Sequence, residues 1–439
     1  MSYMNLLQPG NLAENYVHQL RETIDAYSPV LTVIGEALQN AIDSVCEAQV
    51  RKGEIALKID FDANEIIVRD NGNGFPPEIS YLYLGGGDKK SKRLMGRVGV
   101  GIKVTLFSSE VFQIRSRLQQ NNEKWKLVVH DANKFEASKQ LDAMFENDEQ
   151  YLEESGTELR YRLPYDLIRR FLDEIVMSSI PEGKDIGFST TLKEYATNLY
   201  PSAFAALLVS YLRRYTYVGN VNQRIRILGE FPAEGIDITL TLKSNNPIES
   251  LGQTLGGFFG DKTIVNYTIP CKYLLIEDTL EWIPKGQKAR GKLEFYSSRI
   301  FNRRLGWGGS KLDRTDGFNV LVFQSVEEFE ELVTDLAGKL PRDIDLYRNL
   351  LFPKLNAIIV TIGRIPMYDM FLPGGSRRII SCNGIVTDHH IRIDRGRRQQ
   401  AVRCLDIVVD VDATLNYGKA HLKDRVLVGN VNRFINEAY

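Results

Sequence analysis

The sequence has little of what disulfide, zinc and nucleophile enzymes require. Its 439 residues include four cysteines and five histidines. The cysteines lie far apart with no CxxC pair, which excludes a disulfide framework and predicts reduced thiols of a cytoplasmic protein. No HExxH and no GxSxG occurs, so neither a zinc protease nor an α/β-hydrolase site is predicted.

Charge of one sign and long hydrophobic runs are also missing. Lysine and arginine number 55 against 56 aspartates and glutamates, so nucleic acid or an anionic membrane would have to bind local patches. The longest apolar stretch, residues 203–212, is too short to cross a bilayer, and no signal peptide is expected at the start of the chain. The length and the balanced composition predict a globular protein of two or three domains.

The clearest helix is predicted to begin after Ser28 and to end at Gly53. Within it, Glu36, Asn40 and Asp43 are spaced i, i+4, i+7 and share one narrow stripe. Such a stripe is either the solvated face of an amphipathic helix or a metal–phosphate site. Its two carboxylates and one amide, with no lysine or arginine among them, suit the second interpretation.

A strand, a turn and a second strand are predicted over residues 54–70, followed by Asp70-Asn71-Gly72-Asn73-Gly74. Ile66, Val68 and Asp70 alternate, so Asp70 extends a row that faces the core. A carboxylate in that position needs a hydrogen-bond donor, which the amino group of a purine would supply. The alternative is an ordinary Asn-Gly turn.

Three glycines, Gly96, Gly99 and Gly101, precede a short helix predicted over residues 100–109. Glycines at a helix start let backbone N–H groups approach a phosphate. The order GxxGxG is neither a Rossmann fingerprint nor a P-loop. Lys103 falls in the first helical turn, where a cation is unfavourable unless phosphate is bound. The alternative is a flexible glycine hinge.

Gly156-Thr157 opens a strand predicted over residues 158–163. A threonine hydroxyl both donates and accepts, so it can bridge Asp70 and an adenine ring through water. Alone, this dipeptide carries almost no information.

Together the four motifs resemble, in order and spacing, the GHKL ATPase superfamily of gyrase B subunits, heat-shock chaperones, histidine kinases, MutL and MORC proteins. The resemblance covers about the first 165 residues. Residues 91–109 most resemble prokaryotic stand-alone ATPases related to MORC and MutL.

The resemblance implies an α+β fold, with a Bergerat-type ATP-binding α/β sandwich followed by a transducer-like, ribosomal-protein-like β-α domain. The expected boundaries are an N-terminal strap over residues 1–27, an ATP-binding domain over 28–215 and a transducer-like domain over 216–439. The last contains a basic insertion near residues 284–314.

The resemblance also implies roles for residues at the phosphate end of the site. Glu36 would be the general base that activates water for attack on ATP, and Asn40 would coordinate Mg²⁺. Asp43 would serve the site mainly as a structural residue. Lys419, with Lys423 as the second candidate, would reach the site from the second domain.

At the other end, Asp70 would accept a hydrogen bond from the adenine amine, Thr157 would support it, and Ile79 would line the adenine pocket. A lid over residues 81–98 would close on ATP. Further nucleotide contacts would come from Gly72, Gly74, Gly96, Gly99, Val100, Gly101 and Lys103.

A histidine kinase would share the pocket but phosphorylate a histidine on a separate upstream helical domain. His18 is the only histidine before Glu36 and is too close to it in sequence for such a domain. A glutamate opening the helix stripe is also typical of the hydrolysing branches. ATP hydrolysis is therefore favoured over phosphotransfer.

The resemblance further implies an ATP-dependent homodimer that acts as a clamp, with the strap at the dimer contact. Two basic stretches, residues 285–314, which also contain aromatics, and residues 377–398, suit DNA contact, although a solvated surface explains them as well. A chaperone-like or partner-binding ATPase is the alternative. No nuclease or topoisomerase motif is visible, so a DNA-acting protein would work as a clamp or recruit a partner enzyme.

Overall fold

The structure is a computed structural model of the chain. It describes residues 4–5, 13–26, 30–83, 101–135, 142–143, 145–149, 154–167, 170, 208, 212, 218, 221, 232–248, 262–269, 317–321, 344–364, 377–382, 385–392, 403–413 and 424–438. The chain divides into two compact units. The first comprises Met1–Arg214 with Glu230–Cys271, and the second comprises Tyr215–Gly229 with Lys272–Tyr439.

The first unit is built on one large sheet. The described strands of this unit are β1 (Met4–Asn5), β2 (Gly53–Asp60), β3 (Glu65–Asp70), β4 (Val111–Arg117), β5 (Lys124–His130), β6 (Asp142–Ala143), β7 (Phe145–Asn147), β8 (Gly156–Arg162), β9 (Ile236–Ile248) and β10 (Lys262–Ile269). Eight of them form the sheet in the order β10-β9-β2-β3-β8-β4-β5-β7, while β1 pairs with β6. All neighbours are antiparallel except β2 and β9.

Three α-helices of this unit are described over their full length: α1 (Ala13–Ala26), α2 (Val30–Ala48) and α3 (Gly101–Phe107). Helix α2 lies against β2, β3 and β8. It buries an apolar face at helical spacing, formed by Val33, Ile34, Ala37, Leu38, Ala41, Ile42 and Val45. The strands answer with alternating buried residues, so helix and sheet make a two-layer core.

Helix α1 packs within its own unit. Tyr16 is buried. The Arg21 guanidinium lies 5.6 Å from the centre of the Phe135 ring and donates to the Phe135 carbonyl at 3.2 Å. Phe135 in turn meets Phe107 edge-on at 5.1 Å. These contacts are all intramolecular. The dimer contact expected of residues 1–27 stays a prediction.

Strand β9 lies in the first unit, whereas the sequence predicts that the second domain begins at residue 216 and therefore includes this strand. β9 pairs in parallel with β2, and Lys243 Nζ lies 2.6 Å from Asp60 Oδ2. Alternate residues of the strand are buried, so it continues the covered face of the sheet. A parallel neighbour joins from far along the chain, which local periodicity does not reveal.

The second unit contains a five-stranded sheet and a C-terminal helix. Its elements are β11 (Gly317–Leu321), β12 (Leu355–Arg364), β13 (Arg377–Cys382), β14 (Ile385–Arg392), β15 (Arg403–Val411) and α4 (Arg425–Ala438). The strand order is β11-β12-β15-β13-β14, and only β13 and β15 are parallel among these pairs. Helical turns over residues 344–354 precede β12.

Hydrogen bonds of Asp424 and Ser381 connect elements of this unit. Asp424 caps α4 by accepting from the Leu427 backbone N–H at 2.9 Å, and its carboxylate also binds Lys354 Nζ at 2.8 Å. The buried Ser381 hydroxyl of β13 donates to Asp410 of β15 at 2.5 Å. The hydrogen bond between Ser381 and Asp410 therefore supports the parallel pairing of β13 and β15.

Most predicted elements within the described residues are confirmed. Helix α2 ends at Ala48 rather than at Gly53, because Gly53 already belongs to β2. The sequence predicts an acidic connection over residues 141–155, whereas the structure has the short strands β6 and β7 there. The sequence also predicts helices over residues 196–215 and 326–340, which fall almost wholly outside the described residues.

Candidate active site

The polar stripe of α2 is buried rather than solvated. Glu36 is 6% exposed and Asp43 is 1% exposed, while Asn40 is half-buried. Burying two carboxylates costs free energy unless polar partners surround them, and both have such interactions within the chain. The interpretation of this stripe as a solvated amphipathic face is therefore wrong.

Helix α3 begins directly against the middle of this stripe. A Cβ added at Gly101 would collide with Glu36 Oε2 and would come within 3.3 Å of Asn40 Nδ2. Glycine is thus the residue that allows the start of α3 to approach α2. The structure brings together Glu36, Asn40 and Gly101, as the phosphate end of the predicted site requires. Lys103, two residues into α3, is 2% exposed.

Asn40 carries an unsatisfied polar atom beside this contact. Within the described part of the chain, its buried Nδ2 has no hydrogen-bond partner. A buried donor without a partner is costly, and ligands are one means by which proteins satisfy such groups. The amide also carries an oxygen, and oxygen is the type of ligand atom that Mg²⁺ prefers. Asn40 therefore fits a ligand of a metal–phosphate group.

Asp70 lies at the end of β3 and is 6% exposed. Its Oδ1 accepts from the Gly72 backbone N–H at 2.8 Å and lies 3.1 Å from the Ser44 hydroxyl of α2. A Cβ at Gly72 would collide with the Ser44 hydroxyl, so glycine permits this approach. A buried carboxylate needs hydrogen-bond donors, and those of Asp70 thus include groups of the chain itself.

The rest of the Asp70–Gly74 loop is also fastened to α2. The Asn73 backbone N–H donates to the Ser44 carbonyl at 3.4 Å, and its side-chain Nδ2 donates to Glu47 at 3.4 Å. Gly74 has φ +81°, and a Cβ there would collide with the Arg117 carbonyl. The glycines of this motif therefore serve both a turn and close approaches of the backbone to other segments.

Strand β8 brings Thr157 beside Asp70. The two residues are directly opposite in the β3–β8 pairing, and Thr157 is opposite Ser116 in the β8–β4 pairing. Residues directly opposite in antiparallel strands present their side chains on the same face. This register places Thr157 next to Asp70, and the support of adenine binding by Thr157 stays a prediction. Gly156 has φ +143°, and a Cβ there would collide with the Asp70 carbonyl.

Aromatic residues hold the chain that follows the motif. The Phe75 backbone N–H donates to Ser116 Oγ at 2.7 Å, and the Phe75 carbonyl accepts from the Trp125 indole at 2.8 Å. The Phe75 ring lies 6.0 Å from that of Trp125 and 5.8 Å from that of Tyr81. The floor of the loop is therefore fixed by β4 and β5.

The chain next enters the short 3₁₀ helix Ile79–Leu82, which places Ile79 after the motif. The side chain of Ile79 lies outside what the structure describes, so its contact with adenine stays a prediction. Burial raises the pKa of the Tyr83 phenol because it disfavours the charged form.

Sequence reasoning missed Ser44 and Ser116. Ser44 had a signal, because Glu36, Asn40 and Ser44 follow one another at i, i+4 and i+8 on α2. Ser116 had none, because only the pairing of β4 with β8 brings it to Thr157.

Several predicted site residues lie outside the described residues. They are Gly96, Gly99, Val100, Lys419 and Lys423, together with residues 84–98 of the lid and 285–314 of the basic insertion. In the described ranges, no cluster of three His, Cys, Asp or Glu side chains could hold a metal ion by itself. No helix of the same ranges combines the length and apolar character of a membrane span.

Residues 26–167 match the family model described as histidine kinase-, DNA gyrase B- and HSP90-like ATPase. The match includes α2, the Asp70–Gly74 loop, Gly101 and Thr157, and the large antiparallel sheet agrees with it. It supports the GHKL superfamily for this part of the chain and, at the level of the family, ATP binding. Comparison with curated proteins found no match.

Proposed function

We propose that this protein binds ATP together with Mg²⁺, hydrolyses it, and uses the cycle to close and reopen a homodimer. One observation carries the proposal. The start of α3 packs by a glycine onto Glu36 and Asn40, the two residues to which the family resemblance assigns hydrolysis and metal binding.

The adenine would bind at the Asp70 end of the site. There the Asp70 carboxylate would accept from the amino group of the base, and Thr157, opposite it on β8, would support that contact directly or through water. A base amine is a chemically matched donor for an accepting carboxylate. This contact would favour adenine over guanine, which carries an oxygen at the corresponding ring position.

The phosphates would lie where α3 meets α2. Mg²⁺ would be held by Asn40 together with phosphate oxygens and water, and it would neutralise charge on the phosphates when bound. The backbone N–H groups of Gly99, Val100 and Gly101 would contact the phosphates. The buried Nδ2 of Asn40, which has no hydrogen-bond partner among the described residues, supports a ligand at this point.

Glu36 would act as the general base. Its carboxylate takes a proton from a water molecule whose oxygen forms a bond to the γ-phosphorus. The bond between the γ-phosphorus and the bridging oxygen breaks, and ADP leaves with those electrons. Lys419, or Lys423, would approach the γ-phosphate from the second unit, for which we propose a transducer-like role.

Phosphotransfer to a histidine is the first alternative chemistry, because the matching family model includes histidine kinases. His18 lies on α1 with its side chain 72% exposed and 3.5 Å from Glu22. The Tyr16 side chain of the same helix is buried in the first unit, which disfavours a separate phosphoacceptor domain. A stable phosphoprotein formed from labelled ATP and lost in His18→Ala would favour the kinase.

The client of the clamp is either DNA or a protein. The strand register sets Arg377 opposite Arg392 on one side and opposite Asp406 on the other. Two arginine positions side by side on neighbouring strands suit an anionic partner, and the aspartate position 406 offsets part of that charge. DNA contact through residues 377–398 and 285–314 is one proposal, and a chaperone-like ATPase with a protein partner is the other.

Salt dependence distinguishes the two clients. DNA binding should weaken by about a thousandfold or more between about 50 and 200 mM salt if several phosphates are contacted. The measurement is fluorescence anisotropy of labelled duplex DNA with ATP present. Absence of DNA binding at about 50 mM salt would favour the protein client.

The central test compares wild type with Glu36→Ala. Wild type should hydrolyse ATP only with Mg²⁺, and the variant should bind ATP while losing hydrolysis by about a hundredfold or more. Light scattering should find the variant trapped as a dimer by ATP. Unchanged turnover would overturn the role of Glu36, and a monomer in every nucleotide state would overturn the clamp.

A further inference from the structure

Ser44 is the residue of α2 that meets the loop carrying Asp70. Its hydroxyl lies 3.1 Å from Asp70 Oδ1 and 3.0 Å from Asn73 Oδ1. Ser44 falls one residue after Asp43 and two helical turns after Glu36. One helix therefore carries both the proposed base and a donor to the proposed adenine contact.

Gly72 allows the loop to approach Ser44 closely. A Cβ on Gly72 would collide with the Ser44 hydroxyl and would lie 2.7 Å from the Ser44 carbonyl oxygen. The loop thus touches α2 at Ser44 with no room for a side chain between them. Because the Gly72 N–H donates to the same Asp70 oxygen at 2.8 Å, that oxygen is held from the loop and from the helix.

We infer that Ser44 is a positioning residue that fixes the orientation of the Asp70 carboxylate for recognition of adenine. The inference rests on the proposed function. A hydroxyl carries one hydrogen, so Ser44 donates to either Asp70 or Asn73 at any moment. Asn73 is itself held by Glu47 at 3.4 Å. Ser44 therefore joins the carboxylate to a short chain of polar groups that ends on the exposed side of α2.

Fixing the carboxylate matters because a hydrogen bond to a base amine depends on direction. Two donors on one oxygen define both the plane and the rotation of the group. Without the serine hydroxyl, only the Gly72 N–H among these two donors remains. The base would then meet a carboxylate that is present but less well oriented.

The test uses Ser44→Ala in the full chain, with Ser381→Ala as a matched control. Ser381 is a buried serine of the second unit that donates to the carboxylate of Asp410 at 2.5 Å. Both changes remove a hydroxyl from a carboxylate, and only one of the two carboxylates is proposed to touch the base. Thermal unfolding without nucleotide checks that both variants fold.

We expect Ser44→Ala to weaken ATP binding by about tenfold, the effect of removing one hydrogen bond to a charged group. The preference for ATP over GTP should fall with it, while turnover at saturating ATP stays within about twofold of wild type. Ser381→Ala should keep wild-type ATP affinity. Calorimetric titration with ATP and with GTP provides the affinities.

The outcomes separate this inference from the proposed function. Wild-type ATP binding with unchanged affinity and unchanged preference in Ser44→Ala would overturn the role of Ser44 alone. A loss of turnover without loss of affinity would also overturn it, since Ser44 would then act at the phosphate end. If wild type binds no ATP, both the inference and the proposed function fail.

Discussion

The proposed adenine end and phosphate end of the candidate site rest on the same helix, yet the described residues complete them to different degrees. At the adenine end, Asp70 receives hydrogen bonds from Gly72 and Ser44. At the phosphate end, Asn40 has a buried nitrogen with no partner among the described residues. Both ends meet α2 through a glycine, Gly72 at Ser44 and Gly101 at Glu36.

This difference suggests a division of work between protein and ligand. The adenine end is organised by the chain, so a base would bind to a prepared carboxylate. At the phosphate end, the Asn40 amide has a polar requirement that the described chain does not meet. We therefore expect changes at the two glycine contacts to separate affinity from turnover.

Gly101→Ala should have the largest effect. The added methyl collides with Glu36 and would displace the proposed base or the start of α3. A displacement of about 1 Å at a reacting group can cost about a hundredfold in rate. We expect turnover to fall by about that factor, with a smaller change in ATP affinity. A variant that folds and hydrolyses ATP at the wild-type rate would contradict the proposed arrangement at the phosphate end.

Gly72→Ala should break the other end. Its methyl collides with Ser44 and would push the Asp70 loop away from α2. Because this strains both hydrogen bonds to Asp70, ATP affinity should fall by at least about tenfold. Turnover at saturating ATP should change less than in Gly101→Ala. Equal proportional losses of affinity and turnover in both variants would contradict the proposed difference between the two ends of the site.

Gly429→Ala provides the matched control for a glycine substitution. Gly429 lies exposed in α4, and a Cβ there would meet nothing within 4 Å. Alanine is the better helix former, so the free energy of unfolding should rise by about 0.5–1 kcal/mol. Urea unfolding measures this gain. ATP affinity and turnover should match wild type, and a loss of either would mean that glycine substitutions act nonspecifically.

Lys243→Met should have the smallest effect, on the scaffold alone. Burial raises the pKa of Asp60, but the hydrogen bond and charge of Lys243 and the Ala63 N–H outweigh it, so the pKa lies below its usual value. A depressed carboxyl pKa stabilises the fold above the unfolded pKa of about 3.9 and loses that effect as pH falls through the native pKa.

The Lys243 side chain is 42% exposed, so solvent screening makes the destabilisation by Lys243→Met at pH 7 small. The difference from wild type should shrink as pH falls and disappear below the native pKa of Asp60. Urea unfolding at a series of decreasing pH values from pH 7 measures it. ATP affinity should stay unchanged, because Asp60 and Asp70 lie at opposite ends of the β2–β3 ladder. Lower affinity would show that the site depends on this edge of the sheet.

Local periodicity was sufficient to predict part of this site. The helical spacing of Glu36, Asn40 and Asp43 identified the stripe on α2, and the alternation ending at Asp70 identified a buried carboxylate at the end of a strand. Asp70 is buried as expected, and Glu36 and Asp43 of the stripe are buried too. The strands β2, β3 and β4 were also predictable, since each alternates buried with more exposed residues.

Contacts between distant segments were not predictable in this way. The pairing of Asp70 with Thr157 depends on β8 entering between β3 and β4. The contact of Ser44 with Asp70 depends on the close approach at Gly72. The placement of β9 beside β2 depends on a parallel crossover. Each arises from tertiary packing, to which a single segment of sequence gives no direct access.

The most direct measurement is calorimetric ATP titration of Asp70→Asn beside Glu36→Ala, each with a parallel assay of hydrolysis. Asparagine keeps the size of Asp70 but turns part of the acceptor into a donor. We predict no measurable ATP binding by Asp70→Asn, and near-wild-type binding without hydrolysis by Glu36→Ala. Wild-type ATP affinity in Asp70→Asn, or wild-type turnover in Glu36→Ala, would contradict the assignment of base recognition and hydrolysis to these two residues.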